Sequence, residues 1–229
     1  MAKPSLKTLL AAPAAQLTLS SYKLAEVPEA VREHRGLTHL GLQRNQLREV
    51  PEWIAELTAL TSLYLGDNPL ASLPDAVGAL PSLERLVLDG APLTALPEGL
   101  SRSPMRFLHL DRMTALDWDQ AFAVLSRCPR LSSLTLNQNP AITERLDGLR
   151  ALTGLRSVFF SDCALTAAPT VLSEMPWLVE VSLANNPIER VPDSLLRSPS
   201  LRVLTLARTK VTKAERQRIK SLRPDLMVP

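Results

Sequence analysis

The frame Leu-x-x-Leu-x-Leu-x-x-Asn-x-Leu returns along the chain and constrains its fold more than any other feature. Its most complete copy is Leu37, Leu40, Leu42, Asn45 and Leu47, closed by Val50-Pro51. Counted from the first leucine position, nine copies start at Ala14, Leu37, Leu60, Leu83, Met105, Leu131, Leu155, Leu178 and Leu201. Successive starts lie 23, 23, 23, 22, 26, 24, 23 and 23 residues apart. A unit this short cannot bury its own apolar face, so each copy must stack on its neighbours. Within a copy, the Leu-x-Leu core is expected to be a short strand with its leucines inward and the intervening residues outward. Parallel strands need a crossover, and the Leu/Val-Pro segment supplies one.

From Ala14 to Val211 this pattern resembles the leucine-rich repeat family, specifically its Leu-Pro-containing type with a period of 23 residues. The resemblance implies an α/β leucine-rich repeat solenoid of nine repeats, with a concave parallel β-sheet and capped ends. It also implies protein recognition through the concave face. A fold does not fix a function, so the partner has to be argued from the surface.

Composition narrows the class further. Apolar residues make up 45% of the 229-residue chain and aromatics only 4%, so the core must be mostly leucine, valine and alanine. Nineteen prolines against eight glycines suit repeated fixed corners better than flexible linkers. The sequence has no apolar run of about 18 residues, the length a membrane-spanning helix needs. At the N-terminus, Lys3 and Lys7 precede the apolar stretch Leu9 to Ala12, which is too short for a signal peptide; a cap helix is the better expectation. A net charge of +3 does not by itself imply nucleic acid. Two cysteines, Cys128 and Cys163, do not make a disulfide framework, and reduced thiols point to a cytoplasmic protein. The Ala- and Arg-rich makeup suggests a bacterial one.

The asparagine at the ninth position (Asn45, Asn68, Asn139, Asn186) is expected to turn the chain inward and to bond backbone groups of adjacent turns. Ala91, Met113, Cys163 and Thr209 take its place elsewhere, and there the ladder should be interrupted. The expected organisation is a cap over 1–13, repeats over 14–211, and a cap helix with a closing segment over 212–229, all in one domain. In the first cap Leu6, Leu9 and Leu10 have helical spacing. In the second, Thr212 can N-cap a helix from Lys213 to Leu222, with Ile219 and Leu222 on its apolar side. With both caps legible, the chain is expected to be complete. Two repeats lack the proline corner. After Leu116, Asp117 or Asp119 can cap a true helix carrying Trp118, Phe122 and Leu125 on one face. The segment from Ile142 to Leu152 should be helical too. This thicker middle either offers a second contact site or accommodates two longer repeats, and the latter is the simpler reading.

Outward positions supply the candidate site. The third positions run through His39, Arg85 and Phe107, and the fifth through Tyr64, Val87, His109 and Phe159. Asp89 and Asp111 fall at seventh positions and Arg112 at an eighth. Aromatic and arginine anchors inside a polar rim are the usual anatomy of a protein-binding patch. Trp53 and Trp177 lie off this face, where packing between repeats is expected. Catalytic signals are weak. His39 and His109 are three repeats apart, about 14 Å at the strand spacing, too far to share a metal. No phosphate loop, paired-cysteine motif or zinc-protease helix is present. The chain is therefore expected to be a non-enzymatic module, without cofactor, that binds another protein as an adaptor or regulator. A toxin-neutralising immunity protein or a secreted effector would use the same fold. The rival from another class is a nucleic-acid or anionic-membrane binder using the basic C-terminal stretch (Arg202, Arg208, Lys210, Lys213, Arg216, Arg218, Lys220, Arg223). That stretch has no aromatic stacking groups, which makes nucleic acid the weaker option.

Overall fold

The structure, a computed structural model, describes residues 4–11 and 13–229. Lys3 and Ala12 of the N-terminal segment lie outside the described residues. Nine three-residue strands run parallel in one sheet, in chain order. They are β1 (Gln16–Thr18), β2 (His39–Gly41), β3 (Ser62–Tyr64), β4 (Arg85–Val87), β5 (Phe107–His109), β6 (Ser133–Thr135), β7 (Ser157–Phe159), β8 (Glu180–Ser182) and β9 (Val203–Thr205). Each occupies the third to fifth positions of its repeat. All nine fourth-position and all nine sixth-position side chains are buried, most of them fully. Each such leucine contributes about 1.5–3 kcal/mol through the apolar surface it removes from water.

Backbone pairing extends beyond the strands. The sixth-position N–H donates to the fifth-position carbonyl of the next repeat, as in Leu42 to Tyr64 (2.8 Å) and Leu183 to Thr205 (2.9 Å). The eighth-position N–H then donates to the next seventh-position carbonyl, as in Arg44 to Gly66 (2.9 Å) and Asp162 to Ala184 (3.0 Å). In all nine repeats the eighth residue is left-handed, with φ between 54° and 69°, and only Gly90 among them is glycine. The other eight are Ser, Arg, Asp, Gln or Asn, with no β-branched residue among them, since that class tolerates positive φ worst.

The ninth-position asparagine then locks the turn. Asn68 Oδ1 accepts the N–H groups of Asn45 and Leu47 (both 3.2 Å), while its Nδ2 donates to the carbonyls of Leu42 (3.0 Å) and Leu65 (2.7 Å). Asn45 does the same for Tyr22, Leu24, Leu19 and Leu42, and Asn186 for Cys163, Leu165, Phe160 and Leu183. The expected interruptions are incomplete. The Cys163 thiol, fully buried, donates to the Leu136 carbonyl at 3.1 Å, the bond an asparagine amide would make to the preceding repeat. The Thr209 hydroxyl keeps the bond to its own turn, at Leu206 (2.8 Å). Small donors thus preserve part of the ladder where the amide is missing.

The chain packs as two compact units. The first runs to His109 and includes Met113–Leu131; the second holds Leu110–Arg112 and Ser132–Pro229. In the first, proline corners open short 3-10 helices at Glu29–Glu33, Glu52–Glu56, Asp75–Val77 and Glu98–Arg102. Proline presets φ for the corner, and an acidic residue opens each helix where the dipole favours negative charge. The backbones at Gly78 and Gly99 nearly touch: a Cβ on Gly78 would stand 2.1 Å from the Gly99 carbonyl carbon. Here α1 (Leu6–Leu10) is capped by Ser5, and Leu6, Leu9 and Leu10 are half-buried. The proline-less fifth repeat carries α2 (Trp118–Leu125), N-capped by Asp117, whose carboxylate accepts from Asp119 and Gln120. Trp118, Phe122 and Leu125 are all buried, with the Trp118 and Phe122 rings 6.0 Å apart.

In the second unit the long connection after β6 forms two 3-10 helices, Pro140–Glu144 and Leu146–Ala151, and no α-helix. Repeat eight carries α3 (Asp193–Leu196). Thr212 caps α4 (Lys213–Leu222), where Ile219 is buried but Leu222 is 52% exposed, so the apolar side of that helix is narrower than its spacing predicts. Met227 then bridges β9 through Val203 and covers part of the sheet edge, which limits edge-to-edge association. Trp177 is 60% exposed and does not pack between repeats. Carboxylate–arginine pairs tie neighbouring connections together in both units: Arg32 to Glu56 and Arg127 to Glu98 in the first, Arg150 to Glu174 and Arg218 to Asp193 in the second.

Two expectations follow for stability. Asn68→Ala takes away the side-chain partner of the Asn45 and Leu47 N–H groups and of the Leu65 carbonyl, while the Leu42 carbonyl keeps Asn45 Nδ2, and should cost about 3 kcal/mol or more in urea unfolding. Thr209→Ala gives up one bond and should cost about 1 kcal/mol; equal losses would show that the amide ladder does not carry the turn. Both cysteines are free and buried, and burial pushes each thiol up from 9.0 to about 11. They should react slowly with alkylating reagents near neutral pH. Because the folded chain disfavours the thiolate, their contribution to stability is intact below pH 9.0 and falls as pH rises towards 11. Rapid native-state alkylation at pH 7, or stability unchanged across that alkaline window, would contradict this.

Candidate protein-binding face

Strand register builds the face column by column. In the first unit Gln16, His39, Ser62, Arg85 and Phe107 are successive partners at the third position. Thr18, Gly41, Tyr64, Val87 and His109 follow one another at the fifth. Alternation along each strand turns both columns away from the leucine core. His39, Tyr64, Arg85, Val87, Asp89, Phe107 and His109 are all half-buried, while the Ser62 side chain is sunk to 7% exposure beside Arg85.

Three of these residues touch directly. The Arg85 guanidinium lies over the Phe107 ring, 4.4 Å from its centroid, a cation–π arrangement. Its Nη1 donates to His109 Nε2 at 3.0 Å. A guanidinium has only donors, so Nε2 is the acceptor and a neutral His109 ring carries its proton on Nδ1. Arg106, at a second position, also reaches the Phe107 ring, at 5.8 Å. Tyr64 sits two strands from His109 with Val87 between them. His39 Nδ1 meets the Thr38 hydroxyl at 2.9 Å and is separated from Arg85 by the Ser62 strand.

The second unit presents a different surface. Its columns are Ser133, Ser157, Glu180, Val203 and Thr135, Phe159, Ser182, Thr205. Phe159 is half-buried and flanked by hydroxyl side chains on both sides. Asp111 is turned into the sheet: its carboxylate accepts from the Asn137 backbone N–H at 2.9 Å and from Asn137 Nδ2 at 3.0 Å. Asn137 Oδ1 in turn accepts from Ser161 N at 2.7 Å. Arg112 is exposed at its left-handed turn position. Position in the frame alone could not distinguish an outward Asp111 from one bonded to its neighbour, because the partner is itself a variable residue. Arg106, a second-position residue, falls outside the strand alternation, so the frame does not signal its contact with Phe107.

The fold and its register are those of a leucine-rich repeat solenoid. A model of the leucine rich repeat family matches residues 35–93. An internalin C2 from Listeria monocytogenes is similar over 88% of this chain and 90% of its own, at 23% identity and a TM-score of 0.66. Toll in its complex with Spatzle, from Drosophila, is similar at 19% identity with a TM-score of 0.65. The Toll-like receptor of a TLR13–ssRNA13 complex is similar at 24% identity with a TM-score of 0.63. This chain spans only 30% and 29% of the Toll and TLR13 chains, respectively. No curated protein matches the sequence. No helix among the described residues is long and apolar enough to cross a membrane.

Because Arg85, Phe107 and His109 hold one another from outside the core, Phe107→Ala should leave the fold nearly intact. A thermal melt should show a loss below about 1 kcal/mol, against 3–5 kcal/mol for emptying a core aromatic site such as Phe160. A core-sized loss at Phe107 would mean that the ring supports the sheet.

Proposed function

We propose that the chain is a non-enzymatic module that binds another protein on the outward face of its sheet, as an adaptor or regulator. The observation that carries this is the Arg85–Phe107–His109 cluster on a rigid sheet. Such anchors are ordered before a partner arrives, so little side-chain entropy is lost on binding. Tyr64 and His39 extend the cluster within the first unit; Phe159, Asp111 and Arg112 offer a second, more polar patch in the other. Two similar structures are complexes, Toll with the protein Spatzle and TLR13 with ssRNA13, and the first supports a protein-recognition role. Two free, buried thiols favour a reducing, cytoplasmic setting.

The basic C-terminal stretch supports the alternative less well. Arg218 is bound to Asp193, Glu215 and the Val191 carbonyl. Arg223 is spent on the carbonyls of Leu196, Ser198 and Leu201 and on Asp225. Arg202 and Arg216 donate to backbone carbonyls as well. These cations hold the cap closed before any polyanion arrives.

Tyr64→Ala and Phe107→Ala should each weaken partner binding by about 2 kcal/mol, the hot-spot scale. Trp53→Ala, half-buried and off the strand face, should leave affinity nearly unchanged. Calorimetry on partners recovered by affinity purification of the tagged chain reads all three. Loss of binding in Trp53→Ala with normal binding in the other two would move the interface off the sheet.

A further inference from the structure

The charge of the first unit's face is one-sided where it matters most. Its third and fifth positions hold His39, Arg85 and His109 with the aromatics Tyr64 and Phe107, and no carboxylate. The arginines that tie the connecting segments together are each matched to Asp or Glu, as in Arg32 with Glu56 and Arg127 with Glu98. Arg85 differs. Among the described residues its contacts are the Phe107 ring and one nitrogen of His109, and it has no acid partner. A guanidinium has five N–H donors, and a single hydrogen bond to His109 uses one of them. The plane of the group is held by the ring, and among the described residues its other N–H donors bond nothing within the protein, an arrangement that suits bidentate capture of a carboxylate.

We propose that the partner of this face is a protein segment that sets a carboxylate against Arg85 and an apolar side chain beside Phe107 and Val87. The inference rests on the strand face being the binding surface and adds the chemistry of what binds there. A nucleic acid fits less well. Its affinity comes from neutralising several phosphates in a row, whereas the third and fifth positions of this face hold one arginine, Arg85, in a repeat that also carries Glu84 and Asp89. Stacking on Phe107 orients Arg85, so the cation is pre-positioned for an outside anion.

The test is a random peptide library displayed against the immobilised full chain, followed by fluorescence polarisation of the selected peptides. Wild type, Arg85→Gln, Arg85→Lys, Phe107→Ala and Tyr64→Ala are compared, with thermal melts to confirm that each is folded. Selected peptides should be enriched in Asp or Glu, and replacing that acid by its amide should weaken binding about tenfold or more, as for an interfacial charge pair that loses one member. Arg85→Gln should give the same loss, and Arg85→Lys, which keeps the charge without the planar fork, a smaller one. Peptides that need Phe107 and Tyr64 but show no acidic preference and ignore Arg85→Gln overturn the partner chemistry while leaving the binding face standing. Selection yielding no peptide that depends on Phe107 or Tyr64 overturns both. Tighter binding of a single-stranded oligonucleotide than of any selected acidic peptide, lost in Arg85→Gln, assigns the cation to phosphate and rejects the proposal.

Discussion

A buried primary amide with four backbone partners is the interaction on which this structure depends. Leucines supply most of the free energy, but they are interchangeable in direction; a stack of leucine faces could slide. The amide of Asn68 cannot, because its two acceptor bonds and two donor bonds reach backbone groups of two successive repeats. It therefore fixes rise and register together. An unpaired backbone group in such a place costs about 1–3 kcal/mol, so a one-residue slip that broke a whole set would outweigh the burial of a leucine. Cys163 shows the minimum that suffices locally: one donor aimed at the Leu136 carbonyl.

Electrostatics differs between the connecting segments and the third and fifth strand positions. In the connecting segments Arg32, Arg127, Arg150 and Arg218 each meet a carboxylate, and such exposed pairs contribute modestly to stability. On the strand side of the first unit Arg85 is matched to an aromatic ring and an imidazole. The two solutions differ in what they leave over. A carboxylate partner neutralises the cation, whereas a ring orients it and leaves its charge in place.

Much of this was legible in the sequence because the repeat carries position directly. Once the frame was set, the third and fifth columns followed from strand alternation, and the structure places Arg85, Phe107 and His109 in contact from those columns. Asp117 as a cap and Trp118, Phe122 and Leu125 as its buried face were readable for the same reason: local capping chemistry and helical period. What escaped were the pairings that depend on the identity of a neighbour. Asp111 at a seventh position is bonded to Asn137, a partner its frame position does not announce; Trp177 lies in solvent and not between repeats; Leu222 falls outside the narrow buried side of its helix. In each case periodicity gives direction but not what stands opposite.

The left-handed residue at the eighth position of every repeat has a consequence for how such a chain can change length. From the first to the ninth position each residue has an assigned bond or an assigned burial, and nothing can be added without displacing one. The intervals of 22, 26 and 24 residues around the fifth and sixth repeats take up their differences entirely after that point. Within each unit the strand-side positions keep their spacing like the graduations of a ruler, while the connecting segments absorb insertions, as α2 in the first and as paired 3-10 turns in the second. Variation in loop length and variation in recognition are written into separate halves of the same repeat, so either can be altered without rewriting the other.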